Sequence, residues 1–264
     1  MGAMTAVSQG RRVDLELVSR GLAPSRERAQ ALVAAGLIEV DGARAASAAL
    51  RVGDGTTIRV LGRDHPWAGR GGLKLAPALD AFGIACAGRT CLDAGASTGG
   101  FTDVLLARGA SLVYAVDVGH GQLDPRLASD PRVCVMDRTN LRTLETLPGP
   151  PPELVTLDLS FISLRLVIPA VVRLIAVGGA DLVALFKPQF ELGRGAVGKG
   201  GIVRDEAAAE QSARDFAGWL EASFGAVARP PIPSAVRGAK GNLEWLITAR
   251  LRHVEPSPPA GDRA

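Results

Sequence analysis

The chain is poor in the residues that staple or metallate small proteins. It holds three cysteines (Cys86, Cys91 and Cys134, irregularly spaced) and three histidines. That supply gives neither a disulfide framework nor a zinc pattern, so no metal is expected and a reducing cytoplasm is the simplest compartment. No apolar run reaches the roughly 18 residues of a membrane span, and Met1 to Gly10 has no apolar signal core. No membrane partner is expected. Gly2-Ala3-Met4, ahead of a second plausible start, reads as an expression scar and is set aside. Two nucleotide-binding signatures are also missing from the main glycine-rich turn. It lacks the Lys-Ser/Thr of a phosphate-binding P-loop and the Gly-x-Gly-x-x-Gly spacing of a dinucleotide site.

What is present suits one large or two modest globular domains, with 264 residues of which 47% are hydrophobic. A net charge of +3 and a pI near 9.0 lean towards a polyanionic partner without demanding one.

The stretch Cys91-Leu-Asp-Ala-Gly-Ala-Ser-Thr-Gly-Gly-Phe-Thr102 organises the rest. A short apolar run enters a glycine-rich turn, and an amphipathic segment follows. Strand, tight turn and helix are predicted, the first unit of a doubly wound α/β sheet. Asp93, Gly95, Ser97, Gly99, Gly100 and Phe101 are the candidate residues of a ligand-binding turn.

Ahead of it, residues 10–62 read as a small α+β domain. Val13, Leu17 and Val18 are spaced for a helix ending at Gly21. Ser25 caps a second helix with Ala29, Leu32 and Val33 on its apolar stripe, stopped by Gly36. Leu37 to Gly42 is an alternating strand closed by an Asp-Gly hairpin turn, and Thr57 to Val60 is a later strand. Arg11, Arg12, Arg20, Arg26 and Arg28 cluster at the helix ends. Guanidinium groups grip phosphate in a fork, although on charge alone a solvated helical face is the better reading. Residues 63–70 read as a linker, with Trp67 at a domain junction.

Residues 71–252 read as the second domain, and 253–264 as a disordered proline-rich tail. Leu75, Leu79 and Phe82 mark a helix whose start Pro77 limits. Strands are predicted at 111–117, 132–136, 154–158, 180–186 and 242–249. Helices are predicted at 164–176, broken near Pro169, and at 205–219, capped by Asp205. Asp117, some twenty residues past the turn, suits a ribose hydroxyl. Gly193 to Gly201 is a glycine-rich loop carrying Arg194 and Lys199.

Four charged residues stand where neutral ones would cost less: Lys74, Asp158, Lys187 and Glu244. Asp158 and Lys187 each close an apolar strand. In open α/β sheets those ends form the ligand crevice. Glu244 is placed inside the last strand, where a charge needs a partner. Each alone is equally readable as a structural ion pair.

Register matters more than charge. The pattern from Arg12 to Gly42, Arg-x-Asp-x-x-Leu with Gly-Leu-x-x-Ser-Arg and Val-Asp-Gly, resembles the S-four-type RNA-binding module, which binds structured RNA through its two helices. The second domain resembles the FtsJ-type RNA 2′-O-ribose methyltransferases. The matches are Arg70-Gly-Gly-Leu-Lys74, Asp158-Leu-Ser-Phe-Ile, Lys187-Pro-Gln-Phe and Asn242-Leu-Glu244, with Asp93-Ala-Gly95 and Gly99-Gly100-Phe101 as the cofactor motif. Together the two domains resemble the TlyA family over residues 10 to 252. Members are described as rRNA (cytidine-2′-O)-methyltransferases of 16S and sometimes 23S rRNA, and carry an older hemolysin label.

The resemblance implies a class I, Rossmann-like fold, S-adenosylmethionine as cofactor and ribosomal RNA or ribosomal subunits as partners. It implies a Lys74-Asp158-Lys187-Glu244 tetrad. Asp137 then becomes a candidate acceptor for the adenine amino group. Lys187 is the expected base, with Lys74 as the neighbouring cation and the two acids orienting the lysines. One departure is Gly69-Arg70, where Ser-Arg is common, a change that bears on helix capping. The competing readings are a small-molecule methyltransferase, a membrane-active hemolysin and a non-catalytic RNA-binding assembly factor.

Overall fold

The computed structural model describes residues 10–23, 25–62, 65–238 and 240–253, without the Arg194 side chain. The expected tail from Val254 onward lies outside the described residues. Two compact units divide between Pro66 and Trp67.

In the first unit, β1 (Arg11–Arg12) runs into α1 (Val13–Ser19) and α2 (Arg26–Ala34). β2 (Ile38–Val40), β3 (Ala43–Arg44), β4 (Arg51–Val52) and β5 (Ile58–Val60) follow. The helical spacing of Val13 and Leu17, and of Ala29, Leu32 and Val33, turns these side chains onto one core with Ile38 and Val52. The Ser25 hydroxyl caps α2, accepting from Arg28 N at 3.2 Å. Asp41 and Gly42 take φ of 49° and 85° and join β2 to β3 with Val40 opposite Ala43, the two-residue hairpin that the Asp-Gly pair predicts. β1 and β4 pair antiparallel. That pair escapes sequence reading because two-residue strands carry no alternation to detect.

The second unit contains α3 (Gly72–Phe82), β6 (Thr90–Ala94), α4 (Gly100–Ala107), β7 (Leu112–Val116), α5 (Pro125–Ala128), β8 (Val133–Met136) and β9 (Leu154–Leu157). It continues with α6 (Ile168–Leu174), β10 (Ala180–Phe186), α7 (Pro188–Glu191), α8 (Glu206–Phe224), β11 (Val227–Ala228), β12 (Ile232–Pro233) and β13 (Trp245–Leu251). The sheet order is β11-β13-β10-β9-β6-β7-β8, with β12 also beside β13. β6 to β10 are mutually parallel where they pair, and β13 is antiparallel to β10. The chain grows from β6 out to β8, then crosses back to β9 on the other side. The crevice of such a fold opens at that reversal, beside the carboxyl ends of β6 and β9.

Strand alternation sends side chains to two cores. Leu92, Val155, Leu157, Ala184 and Phe186 meet Ile168, Val171, Phe216 and Leu220, from α6 and α8. Cys91, Val113, Val183 and Leu185 meet Leu75, Leu79, Val104 and Leu105, from α3 and α4. Helices on both faces make the sheet doubly wound, as expected. Cover on both faces also explains why β9 is buried along its whole length.

Three boundaries differ from expectation. Pro77 does not limit α3, which starts at Gly72 and carries the proline inside. The loss is one hydrogen bond to the Leu73 carbonyl, and burial of Leu75, Ala78, Leu79 and Phe82 outweighs it. α8 runs past Trp219 to Phe224, where Gly225 (φ 57°) ends it. β13 starts at Trp245, so Glu244 precedes the strand rather than lying in it. The cause is Asn242, whose amide accepts from Val203 N at 2.9 Å and donates to Gly201 O at 2.8 Å. Those bonds tie this stretch to the glycine-rich loop, while Glu244 O still accepts from Ser234 N at 2.8 Å beside β12. Trp67, expected in the linker, packs against the α3/α4 core, and Ala68 N donates to Asp103 at 2.8 Å.

Candidate active site

The turn after β6 is shaped by close approach. Gly95 has φ 83°, and a Cβ there would stand 2.5 Å from the Asp158 carbonyl oxygen. Asp158 N in turn donates to Ala94 O at 3.0 Å, which holds β6 against the end of β9. Gly100 is as confined, since a Cβ would meet Gly69 O, Gly72 N and Gly71 N at 3.0–3.1 Å. The same crowding accounts for Gly69, where a Cβ would come within 2.4 Å of the Thr98 hydroxyl. No side chain caps α3, whose N-cap is Gly71.

Asp93, the first residue of the motif, lies inside β6. Its side chain is fully buried and lines neither of the two large cavities. It accepts from Thr102 Oγ1 at 2.6 Å and from Thr156 Oγ1 at 3.2 Å. Burial pushes its carboxyl up to about 7, with the Asp158 charge adding to the rise and the threonine bonds opposing it. Through these bonds Asp93 anchors α4 to the sheet. Gly99 (φ 93°) likewise packs on Leu123 and Leu127 and lines no described cavity.

Two adjoining cavities of about 410 and 360 Å³ open along the carboxyl edge of the sheet. Gly95, Ser97, Asp158, Ser160 and Phe161 line both. The larger continues along Asp117, Val118, Thr139 and Leu141. Asp117 closes β7, and its two oxygens accept from Ser97 N at 2.8 Å and Gly119 N at 2.7 Å. Each oxygen keeps a lone pair for a hydroxyl ligand. Asp137 follows β8. It accepts from Gly121 N at 2.7 Å and contacts His120 Nδ1 at 2.9 Å, and it lines neither cavity. These bonds, that of Gly121 foremost, hold its carboxyl below the usual range. Gly100 and Phe101 line a third, shallow recess of about 110 Å³ beside Gly95.

The second cavity gathers Lys74, Asp158, Lys187 and Glu244 on one wall. α3 carries Lys74, the ends of β9 and β10 carry Asp158 and Lys187, and the approach to β13 carries Glu244. They form two ion pairs. Lys74 Nζ lies 2.6 Å from Glu244 Oε2, with the side chains only 10% and 4% exposed. Lys187 Nζ lies 2.6 Å from Asp158 Oδ1 and donates to Ser160 Oγ at 2.9 Å. The Asp158 contact is an ion pair by distance, though its angle is not that of a hydrogen bond. Removing one partner of such a buried pair typically costs about 3–5 kcal/mol. The loop after β9 is laced to α7 beside Lys187. Phe161 (φ 66°, largely exposed) stacks on Phe190 at 5.1 Å, and Glu191 accepts from Ser163 Oγ at 2.6 Å and Leu164 N at 2.7 Å.

Gln122, Gln189 and Lys240 also line these cavities. Sequence reasoning misses them because a polar residue in a loop breaks no pattern. Asn242, two residues before Glu244, bonds to the glycine-rich loop through Val203 N and Gly201 O.

In the first unit, Arg12 and Arg26 both contact Asp14, while Arg11 and Arg20 contact Glu16. Arg20 also donates to the Thr56 carbonyl at 2.7 Å. Arg28 is half-buried in the first turn of α2.

Residues 67–251 match the FtsJ-like methyltransferase family, and residues 11–58 match the S4 domain. The chain is 48% identical to the Mycobacterium tuberculosis 16S/23S rRNA (cytidine-2′-O)-methyltransferase TlyA, covering 91% of this chain and 90% of that one. It is 38% identical to Hemolysin A of Brachyspira hyodysenteriae, over 89% of this chain and 98% of that one. A solved Streptococcus thermophilus chain called a hemolysin superposes with a TM-score of 0.74 at 37% identity, covering 96% of this chain and 92% of that one. With a methyltransferase family match across the whole second unit and an S4 domain ahead of it, the chain is a methyltransferase and belongs to the TlyA family.

Proposed function

We propose that this protein transfers a methyl group from S-adenosylmethionine to the 2′-hydroxyl of a cytidine in ribosomal RNA, with 16S and 23S rRNA both as candidate substrates. The observation that carries the reading is the pair of buried lysine–carboxylate contacts on the wall of one cavity that shares Gly95, Ser97 and Asp158 with its neighbour. Work on ribosomes goes with a cytoplasmic setting. Among the described residues no helix is long and apolar enough to cross a membrane.

The residues of the larger cavity fit the cofactor. Gly95 leaves no room for a side chain, so backbone forms the cradle there, and Gly100 does the same in the adjoining recess. Asp117 offers lone pairs to a ribose diol, and Val118, Leu141 and Ile162 offer an apolar slot for a purine. Bound there, S-adenosylmethionine supplies an electrophilic methyl carbon.

A ribose hydroxyl is a poor nucleophile until its proton leaves. Lys187 acts as the base and takes that proton. Asp158 and Ser160 fix its Nζ at one point of the wall. Lys74, oriented by Glu244, steadies the negative charge that develops on the 2′-oxygen. Methyl transfer is an in-line displacement, so the rigid placement of both lysines on helix and strand ends counts as much as basicity. The S4 unit supplies RNA affinity.

The test is incubation with labelled S-adenosylmethionine and, separately, unmodified 16S rRNA, 23S rRNA, small subunits and large subunits. Nuclease digestion and mass spectrometry locate the product. A 2′-O-methylcytidine that Lys187→Ala makes at least about a hundredfold more slowly is the expected result. Cofactor binding without transfer to any of the four discards the ribosomal substrate. Normal transfer by Lys187→Ala discards Lys187 as the base.

A further inference from the structure

Asp14 is wholly buried although it sits in the first turn of α1 beside exposed arginines. Arg12 donates to it twice, through Nε to Oδ1 and through Nη2 to Oδ2, each at 3.0 Å. Arg26 Nε donates to Oδ2 at 3.0 Å, and Gln30 Nε2 to the same oxygen at 2.9 Å. The carboxylate is 0% exposed, whereas the Arg12 and Arg26 side chains are 36% and 54% exposed. The acid thus faces inward and the two guanidinium groups face outward.

One arginine would neutralise one buried acid. The second leaves a surplus positive charge on the surface. Arg26 spends only its Nε edge on Asp14, and Arg12 keeps Nη1. Those remaining N–H groups match the oxygens of a phosphodiester in the planar fork that guanidinium forms. An arginine already clamped by a carboxylate has less rotamer freedom left to lose on binding. The same arginine bonds hold the Asp14 carboxyl well below its usual range, so the clamp is charged at every physiological pH.

We infer that Asp14 is a positioning residue that presents Arg12 and Arg26 as one preformed fork for an RNA backbone phosphate. The inference rests on the RNA-binding reading of the first unit.

Its test turns on a sign. Asp14→Asn removes a negative charge from an RNA-binding surface, so charge alone predicts tighter binding to a polyanion. Loss of the clamp predicts weaker binding. The probes are 16S and 23S rRNA transcripts titrated with the full-length protein, with thermal unfolding and S-adenosylmethionine affinity measured alongside. The expected result is about fivefold weaker RNA binding by Asp14→Asn and two- to threefold weaker binding by Gln30→Ala, with cofactor affinity unchanged. Gln30→Ala alters no charge and carries the test if Asp14→Asn fails to fold. In an Arg26→Lys background, Asp14→Asn should lose much less, because its action runs partly through the missing fork. A folded Asp14→Asn that binds as tightly as wild type, or tighter, overturns the inference alone. Wild-type protein that binds neither transcript and methylates no ribosomal RNA overturns the functional reading, and the inference with it.

Discussion

Asp93 keeps a carboxyl where charge is costly, and that has a measurable pH signature. Burial pushes its native value up to about 7, well above that of a solvated carboxyl. A group raised on folding contributes stability below its unfolded value and loses it as pH rises through the native one. Wild-type stability should therefore fall between about pH 4 and pH 7, by an upper bound of about 4 kcal/mol. Asp93→Asn should flatten that slope, read as urea midpoints at pH 5, 6, 7 and 8. Parallel profiles for the two proteins would rule the effect out. Asp93 also shows where residue-level reading stops. Lys74, Asp158, Lys187 and Glu244 are legible because a charge beside an apolar run is anomalous. The motif containing Asp93 marks the turn correctly, but only the structure shows the side chain under α4, bonded to Thr102 and Thr156. Asp137 is comparable, since its position after a strand is legible and its bond to Gly121 is not.

At the scale of the element, the turn between β6 and α4 makes a sharper prediction than its glycine content. Gly95 and Gly121 both have positive φ, 83° and 63°, but only Gly95 is crowded. Gly121→Ala should cost about 1–2 kcal/mol through backbone strain and leave cofactor affinity alone. Gly95→Ala adds a clash with the Asp158 carbonyl, which moves the shared wall of both cavities. We expect at least tenfold weaker S-adenosylmethionine binding by calorimetry. Equal losses in the two variants would remove the close-approach argument. The parallel strands β6 to β10 and helices α2, α4 and α8 are legible because long apolar runs, caps and glycine stops agree. β1, β4, β11 and β12 are not, since two residues cannot show a period. Pro77 misleads because the rule against proline inside a helix is local, and burial of the surrounding face overrides it.

For the whole molecule, the order of an RNA-binding module followed by a methyltransferase is legible from registered motifs, not from a net charge of +3. The same division of labour predicts two salt responses. Binding to rRNA should weaken steeply with salt, each phosphate contact adding roughly −0.7 to −0.9 to the log–log slope, while cofactor binding stays flat. Salt-insensitive activity on free cytidine would move the acceptor to a small molecule. The Lys74–Glu244 pair has a further consequence, because 170 positions of sequence separate its members. Synthesis delivers the lysine long before its counter-ion. Until β13 is made, β10 is an apolar edge strand, open to pairing with other chains. A nascent or prematurely terminated product that stops short of residue 244 already holds the cofactor turn, yet its site is incomplete. On the proposed mechanism, a chain ending before residue 244 should fail to methylate, read as loss of transfer by a variant truncated there.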